Sequence, residues 1–166
     1  MNDFIDILIR IVFIGVGATL CMDLWARIQR VLWGITSLDY ALVGRWLGWI
    51  ARGRFYHTTI LTSGRITGEH IIGWVAHYLI GVMLAALLTI VVGSKWLYQP
   101  TLIPALITGI VSVVAPFFVM QPAFGFGIAA AKTPAPNIAR IRSMITHLVF
   151  GLGIYLAAKV SLWLLG

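Results

Sequence analysis

The sequence predicts an all-α, polytopic membrane protein. Four transmembrane helices form two hairpins in parallel repeat, and a short amphipathic helix lies in the cytoplasmic interface. Three observations carry this. Of 166 residues, 60% are apolar and 10% charged, with a mean hydropathy of +0.97, whereas a soluble domain carries roughly 25% charged residues. The apolar residues gather into four runs, about 4–25, 71–92, 102–131 and 144–165, each near or above the roughly 20 residues that cross hydrocarbon at about 1.5 Å per residue. Most of the basic residues lie outside these runs and concentrate in two of the three connections.

That placement sets the topology. Arg27, Arg30, Arg45, Arg52, Arg54 and Arg65 fall at or within the first connection, and Lys132, Arg140 and Arg142 around the third. The second connection holds only Lys95, and the N-terminus carries Asp3 and Asp6. Basic loops stay in the cytoplasm, so connections one and three are expected inside and both termini outside. The net charge of +7 therefore reads as topology with anionic lipid contact, not as a nucleic-acid surface. The N-terminal run lacks the basic start and small-residue cleavage site of a secretory signal, and the lone Cys21 excludes an intrachain disulfide. No linker divides the chain, so residues 1–166 are expected to form one domain.

Within the first connection, residues 40–52 have helical spacing, with Leu42, Trp46, Trp49 and Ile50 on one side and Ala41, Arg45, Gly48 and Arg52 on another. Such a helix is expected to lie in the interface, with Trp46 and Trp49 at headgroup level and Arg45, Arg52 and Arg54 toward lipid phosphate. The alternative is that the arginine face packs on the bundle and receives an anionic ligand.

The spans themselves carry a polar signal. His77-Tyr-Leu-Ile-Gly81 and His147-Leu-Val-Phe-Gly151 occupy matching places in the second and fourth spans. Met22-Asp23 and Met120-Gln121 match in the same way in the first and third. Counting rise per residue puts Asp23, His77 and His147 at similar depth, roughly 5–10 Å inside the inner interface, with Gln121 somewhat deeper. Ionisable groups inside hydrocarbon are costly and point to function. Their helix faces fit an inward orientation. Glu69, Gly73, His77, Gly81 and Ala85 form one stripe, Ser143, His147, Gly151 and Tyr155 another, and Gly15, Thr19, Asp23 and Arg27 a third. Small residues let membrane helices approach closely, and polar ones hydrogen-bond across the contact. In the third span Pro116 and Pro122 bracket Gln121, so that helix is expected to kink or break and Gln121 to line a small cavity or merely adjoin the break.

Met22-Asp23-Leu-Trp25, Gly44-Arg45-Trp46, Gly73-Trp74 with His77-Tyr78, Pro116-Phe-Phe with Met120-Gln121-Pro122, and His147 with Phe150-Gly151 together resemble DUF2938, a family of small bacterial inner-membrane proteins. The resemblance implies four spans and an inner-membrane location. It brings no activity and no catalytic residue.

Four readings of the polar residues follow. In the first, the layer is structural: Asp23 pairs with Arg27, and the histidines and Gln121 bond across helices. In the second, Asp23, His77, Gln121 and His147, with Arg27, Glu69 and Tyr78 nearby, bind or pass a proton or small solute, and homo-oligomerisation completes the small enclosed volume. The third makes His77 and His147 haem ligands, or joins them to Asp23 around a divalent metal, although no tight ligand motif is present and no cofactor is expected. An intramembrane enzyme acting on a lipid-soluble substrate ranks last, because no nucleophile motif or paired carboxylates appear.

Overall fold

The computed structural model describes residues 3–166. Among the described residues the regular structure is all helical, in the order α1 (Asp3–Trp33), α2 (Tyr40–Ile50), α3 (Glu69–Val92), α4 (Leu102–Ser112), α5 (Gln121–Ala123) and α6 (Pro136–Leu165), with short 3₁₀ turns between. Four stretches are long and apolar enough to cross a membrane: Asp3–Trp33, Glu69–Val92, Leu102–Ala123 and Pro136–Leu165.

The boundaries correct the hydropathy reading in three places. The first helix runs past Trp25 to Trp33, because Arg27-Ile-Gln-Arg30 are good helix formers. It stops where Gly34 takes a positive φ and donates its N–H to the Arg30 carbonyl. The last helix starts at Pro136 rather than Met144, since a proline at the first helical position forfeits no intrahelical bond. The third span ends at Ala123, not Ala131, because Gly125 and Gly127 adopt φ of +85° and +76°.

The chain divides into two compact units. One takes the chain up to Thr36 with Tyr78–Val111 and Thr146–Gly166; the other takes Ser37–His77 and Ser112–Ile145.

In the first unit Ile14, Ala18, Leu97, Ala105, Ile154 and Ala158 are fully or almost fully buried around Phe150. Small residues set its helix crossings. Gly15 and Thr19 of α1 lie against Gly81 of α3, and Gly109 of α4 against Gly151 and the His147 carbonyl of α6. Since lipid is as apolar as the side chains, such crossings are stabilised by close packing rather than by removal from water. Arg10 is buried inside α1, 1% exposed. Its Nε donates to Asp6 at 2.8 Å, its Nη2 donates to the Gly166 carbonyl at 3.1 Å, and its guanidinium lies 4.8 Å over the Tyr98 ring. A cation at the carboxyl end of α6 complements that helix's dipole.

In the second unit α2 is capped by Asp39, whose side chain accepts from the Ala41 N–H at 2.9 Å. The α2 helix meets the start of α3 through glycines. A Cβ on Gly44 would run into the Glu69 carbonyl oxygen, and one on Gly73 into that of Tyr40. Val43, Ile60 and Phe124 form the buried core, with Trp46, Met120 and Phe126 packed on it. Residues 57–60 run beside the turn after α5: the His57 N–H donates to the Ala123 carbonyl and the Ile60 N–H to that of Phe124, both at 2.9 Å. Gly125 closes this junction, with its missing Cβ facing the Thr58 carbonyl.

Between α4 and α5, Pro116–Met120 form a π-helical turn in which the Gln121 N–H reaches back to the Pro116 carbonyl. Pro116 and Pro122 have no N–H to give, and the wider turn repairs one of the interrupted bonds.

Candidate polar site

The stripe on α1 that carries Gly15 and Thr19 continues to Asp23. There Tyr78 of α3 donates its hydroxyl to the Asp23 carboxylate at 2.9 Å. The two residues are 55 positions apart in sequence, and both lie in segments able to cross a membrane. Close packing at Gly81, one turn along α3, holds the two helices near enough for the phenol to reach. Tyr78 thus takes a place at the carboxylate that the residue pattern had offered to Arg27, which is exposed.

His147 of α6 belongs to the same unit. Gly17 faces Ala157 across α1 and α6, and Gly153 faces both Ala18 and Cys21. The Trp25 Nε1, two residues after Asp23, is buried with no hydrogen-bond partner among the described residues.

Glu69, His77 and Gln121 fall in the second unit. His77 stacks on Tyr40, ring centroids 4.0 Å apart, with Trp74 edge-on at 5.9 Å. Glu69 is not the unpaired helix-terminal acid that its position suggests. Its two carboxylate oxygens accept from Arg45 Nη2 and Nε at 2.8 and 2.9 Å, and Oε2 also accepts the Ile66 N–H. Arg45 is correspondingly removed from the headgroup role expected of it. It is 7% exposed and donates further to the Ile60 carbonyl at 3.2 Å. Charge burial on this scale survives only when both partners are paired, and the glycine contact between α2 and α3 brings them together. Trp46 and Trp49 are half-buried, and their indole N–H groups donate to the Phe55 and Gly64 carbonyls. Arg52 and Arg54 remain exposed. Gln121, directly after the π-helical turn, keeps a buried side-chain oxygen without a partner among the described residues.

One further group escaped the sequence reading. His57 is 5% exposed, and its Nδ1 lies 2.8 Å from Ser63 Oγ, which also donates to the Thr59 carbonyl at 3.2 Å. With the hydroxyl proton on Thr59, Nδ1 carries the ring hydrogen and Nε2 is a bare acceptor; Nε2 has no partner among the described residues. Burial, and secondarily the Arg54 charge, hold the imidazole below its ordinary pKa. In that tautomer Ser63 Oγ accepts from the ring instead of giving it a proton, and no carboxylate orients the ring through Nε2, so the pair lacks the features of a catalytic triad. His57 stands in a loop with no periodicity, so nothing local marks it. Among the described residues no three His, Cys, Asp or Glu side chains group so as to hold a metal ion.

The chain belongs to the family DUF2938, described as a protein of unknown function, which matches residues 12–161. That range includes Asp23, His77, Tyr78, Gln121 and His147. No curated protein and no solved structure matches the chain.

Proposed function

We propose that this member of the DUF2938 family is an integral protein of the bacterial inner membrane that takes up and passes a proton, alone or with a small polar solute, at the Asp23–Tyr78 pair. One observation carries the reading: a carboxylate in an apolar span bonded at 2.9 Å to a phenol on a neighbouring span. Ionisable groups at membrane depth are expensive and mark ion and proton paths more often than packing. The carboxylate has lone pairs to receive a proton, the phenol orients it, and His147 of α6, in the same unit, offers a second ionisable group. The basic first and third connections face the cytoplasm and both termini face outward. Anionic lipids surround the chain, and a homo-oligomer encloses the path, since four spans alone leave little interior volume. No cofactor is invoked.

The test is proton entry into vesicles loaded with a pH-sensitive dye under an imposed pH gradient. Wild-type protein is expected to acidify the lumen faster than empty vesicles. Asp23→Asn should abolish the excess without changing helicity or elution volume. Wild-type vesicles no faster than empty ones, or undiminished flux in Asp23→Asn, would sink the proposal. The same hydrogen bond also favours a second reading, in which Tyr78 and Asp23 only lock α1 to α3; there Tyr78→Phe lowers stability by about 1 kcal/mol and leaves every transport rate untouched.

A further inference from the structure

The loop that follows α2 carries an unusual combination. From Tyr40 through Gly68 the chain has no Asp or Glu, yet it holds Arg45, Arg52, Arg54 and Arg65. Arg45 is consumed internally by Glu69. The other three are exposed, and none is hydrogen-bonded or ion-paired among the described residues. Two of them are nevertheless held in place. The guanidinium carbons of Arg52 and Arg54 lie 5.4 and 5.6 Å from the Trp49 ring centroid, and that ring is itself fixed by its N–H bond to the Gly64 carbonyl at 3.0 Å. A cation–π contact restrains a guanidinium while using none of its N–H donors. Beside them Phe55, Tyr56 and Leu61 are 55%, 72% and 60% exposed, although the loop they stand on is pinned at both ends through Phe55 and Gly64.

We propose that this loop, residues 52–65, is a preorganised docking surface for anionic phospholipid. Arg52 and Arg54 take the headgroup phosphate, with Arg65 adding charge, while Phe55, Tyr56 and Leu61 enter the acyl boundary. Charge complementarity selects this occupant. Three unpaired cations in a stretch without an acid fit a phosphate-rich surface, and rigidly presented aromatic side chains fit the interface between headgroups and hydrocarbon. Arginine is suited to the task because its planar fork binds phosphate through two donors. The proposal rests on the reading that the chain spans a membrane.

The experiment uses the full chain in mild detergent, titrated with phosphatidylglycerol or phosphatidylcholine, with retained lipid counted by native mass spectrometry. Each surface arginine contributes roughly fivefold in lipid affinity. Arg52→Gln/Arg54→Gln should therefore reduce a phosphatidylglycerol preference by about 25-fold, with helicity unchanged because both side chains are exposed. Phe55→Ser/Tyr56→Ser should weaken both lipids without changing their ratio. Equal retention of the two lipids by wild type would overturn the proposal. So would a preference that survives Arg52→Gln/Arg54→Gln, or one displaced by inorganic phosphate or by an acidic peptide at equal charge. Alkaline carbonate extraction of the native membranes separates the two levels: a released chain defeats the spanning reading, and a retained chain without lipid preference defeats only this one.

Discussion

The Arg45–Glu69 pair offers the sharpest quantitative prediction, because the structure defines what each partner loses. Removing the guanidinium with Arg45→Met takes away two charge-assisted bonds of 2.9 and 2.8 Å and leaves the Glu69 carboxylate with the Ile66 N–H alone. Both side chains are shielded, 8% and 14% exposed. Breaking a buried pair on one side costs about 3–5 kcal/mol, largely because the orphaned charge stays buried. Removing both charges with Arg45→Met/Glu69→Met eliminates that orphan. The residual loss should then be about 1 kcal/mol, from the Ile60 carbonyl losing its donor and the Ile66 N–H its acceptor. The amides of His57 and Ile60 are natural reporters, since they bond to Ala123 and Phe124 across the junction that this pair supports. Their hydrogen exchange should accelerate by about two to four decades in the single variant and by about one decade or less in the double variant. A single variant accelerated less than about tenfold, equivalent to 1.4 kcal/mol, would refute the view that this ion pair holds α2 on α3.

Two other outcomes follow from the same unit. Gly73→Ala places a methyl group against the Tyr40 carbonyl, and backbone cannot move aside as a side chain can. A loss of at least about 2–3 kcal/mol is expected, seen as a lowered midpoint in a detergent unfolding titration, whereas Gly53→Ala, whose surroundings are open, should cost only the strain of its positive φ. His57 supplies a pH dependence. Its folded pKa is depressed by burial and by Arg54, so the folded state binds fewer protons than the unfolded one and stability rises with pH. The contribution is complete above the unfolded value near 6.5 and fades as pH falls below it. Unfolding midpoints between pH 7.5 and 5 should drop in wild type and stay nearly flat in His57→Gln; parallel slopes would show that another group carries the dependence.

The residues that were legible in advance are those whose signal is local or periodic. Asp23 could be recognised because an acid inside an apolar run stands out against its neighbours. The glycine stripes at Gly15, Gly81 and Gly151 could be recognised because their four-residue spacing puts them on one helical face. His57 could not, since its burial arises from a backbone junction with Ala123 and Phe124 far along the chain. Arg10 was equally hidden. An arginine near the start of a span reads as a charge near water, and only the carbonyls of α6 and the Tyr98 ring reveal how it is accommodated in the interior.

Sequence alone determined that the chain is helical, where its four long apolar segments lie, and which family it belongs to, because each depends on composition or on short-range order. Helix ends were fixed less well, since caps such as Gly34 and Pro136 act after hydropathy has already faded. Tertiary structure alone decided partners. It assigned Tyr78 to Asp23 and gave Arg45 to Glu69 rather than to lipid phosphate. The physical reason is common to both. Helical periodicity specifies which face a side chain occupies, but its partner depends on how two helices register, and that register is set by where glycine lets their backbones touch.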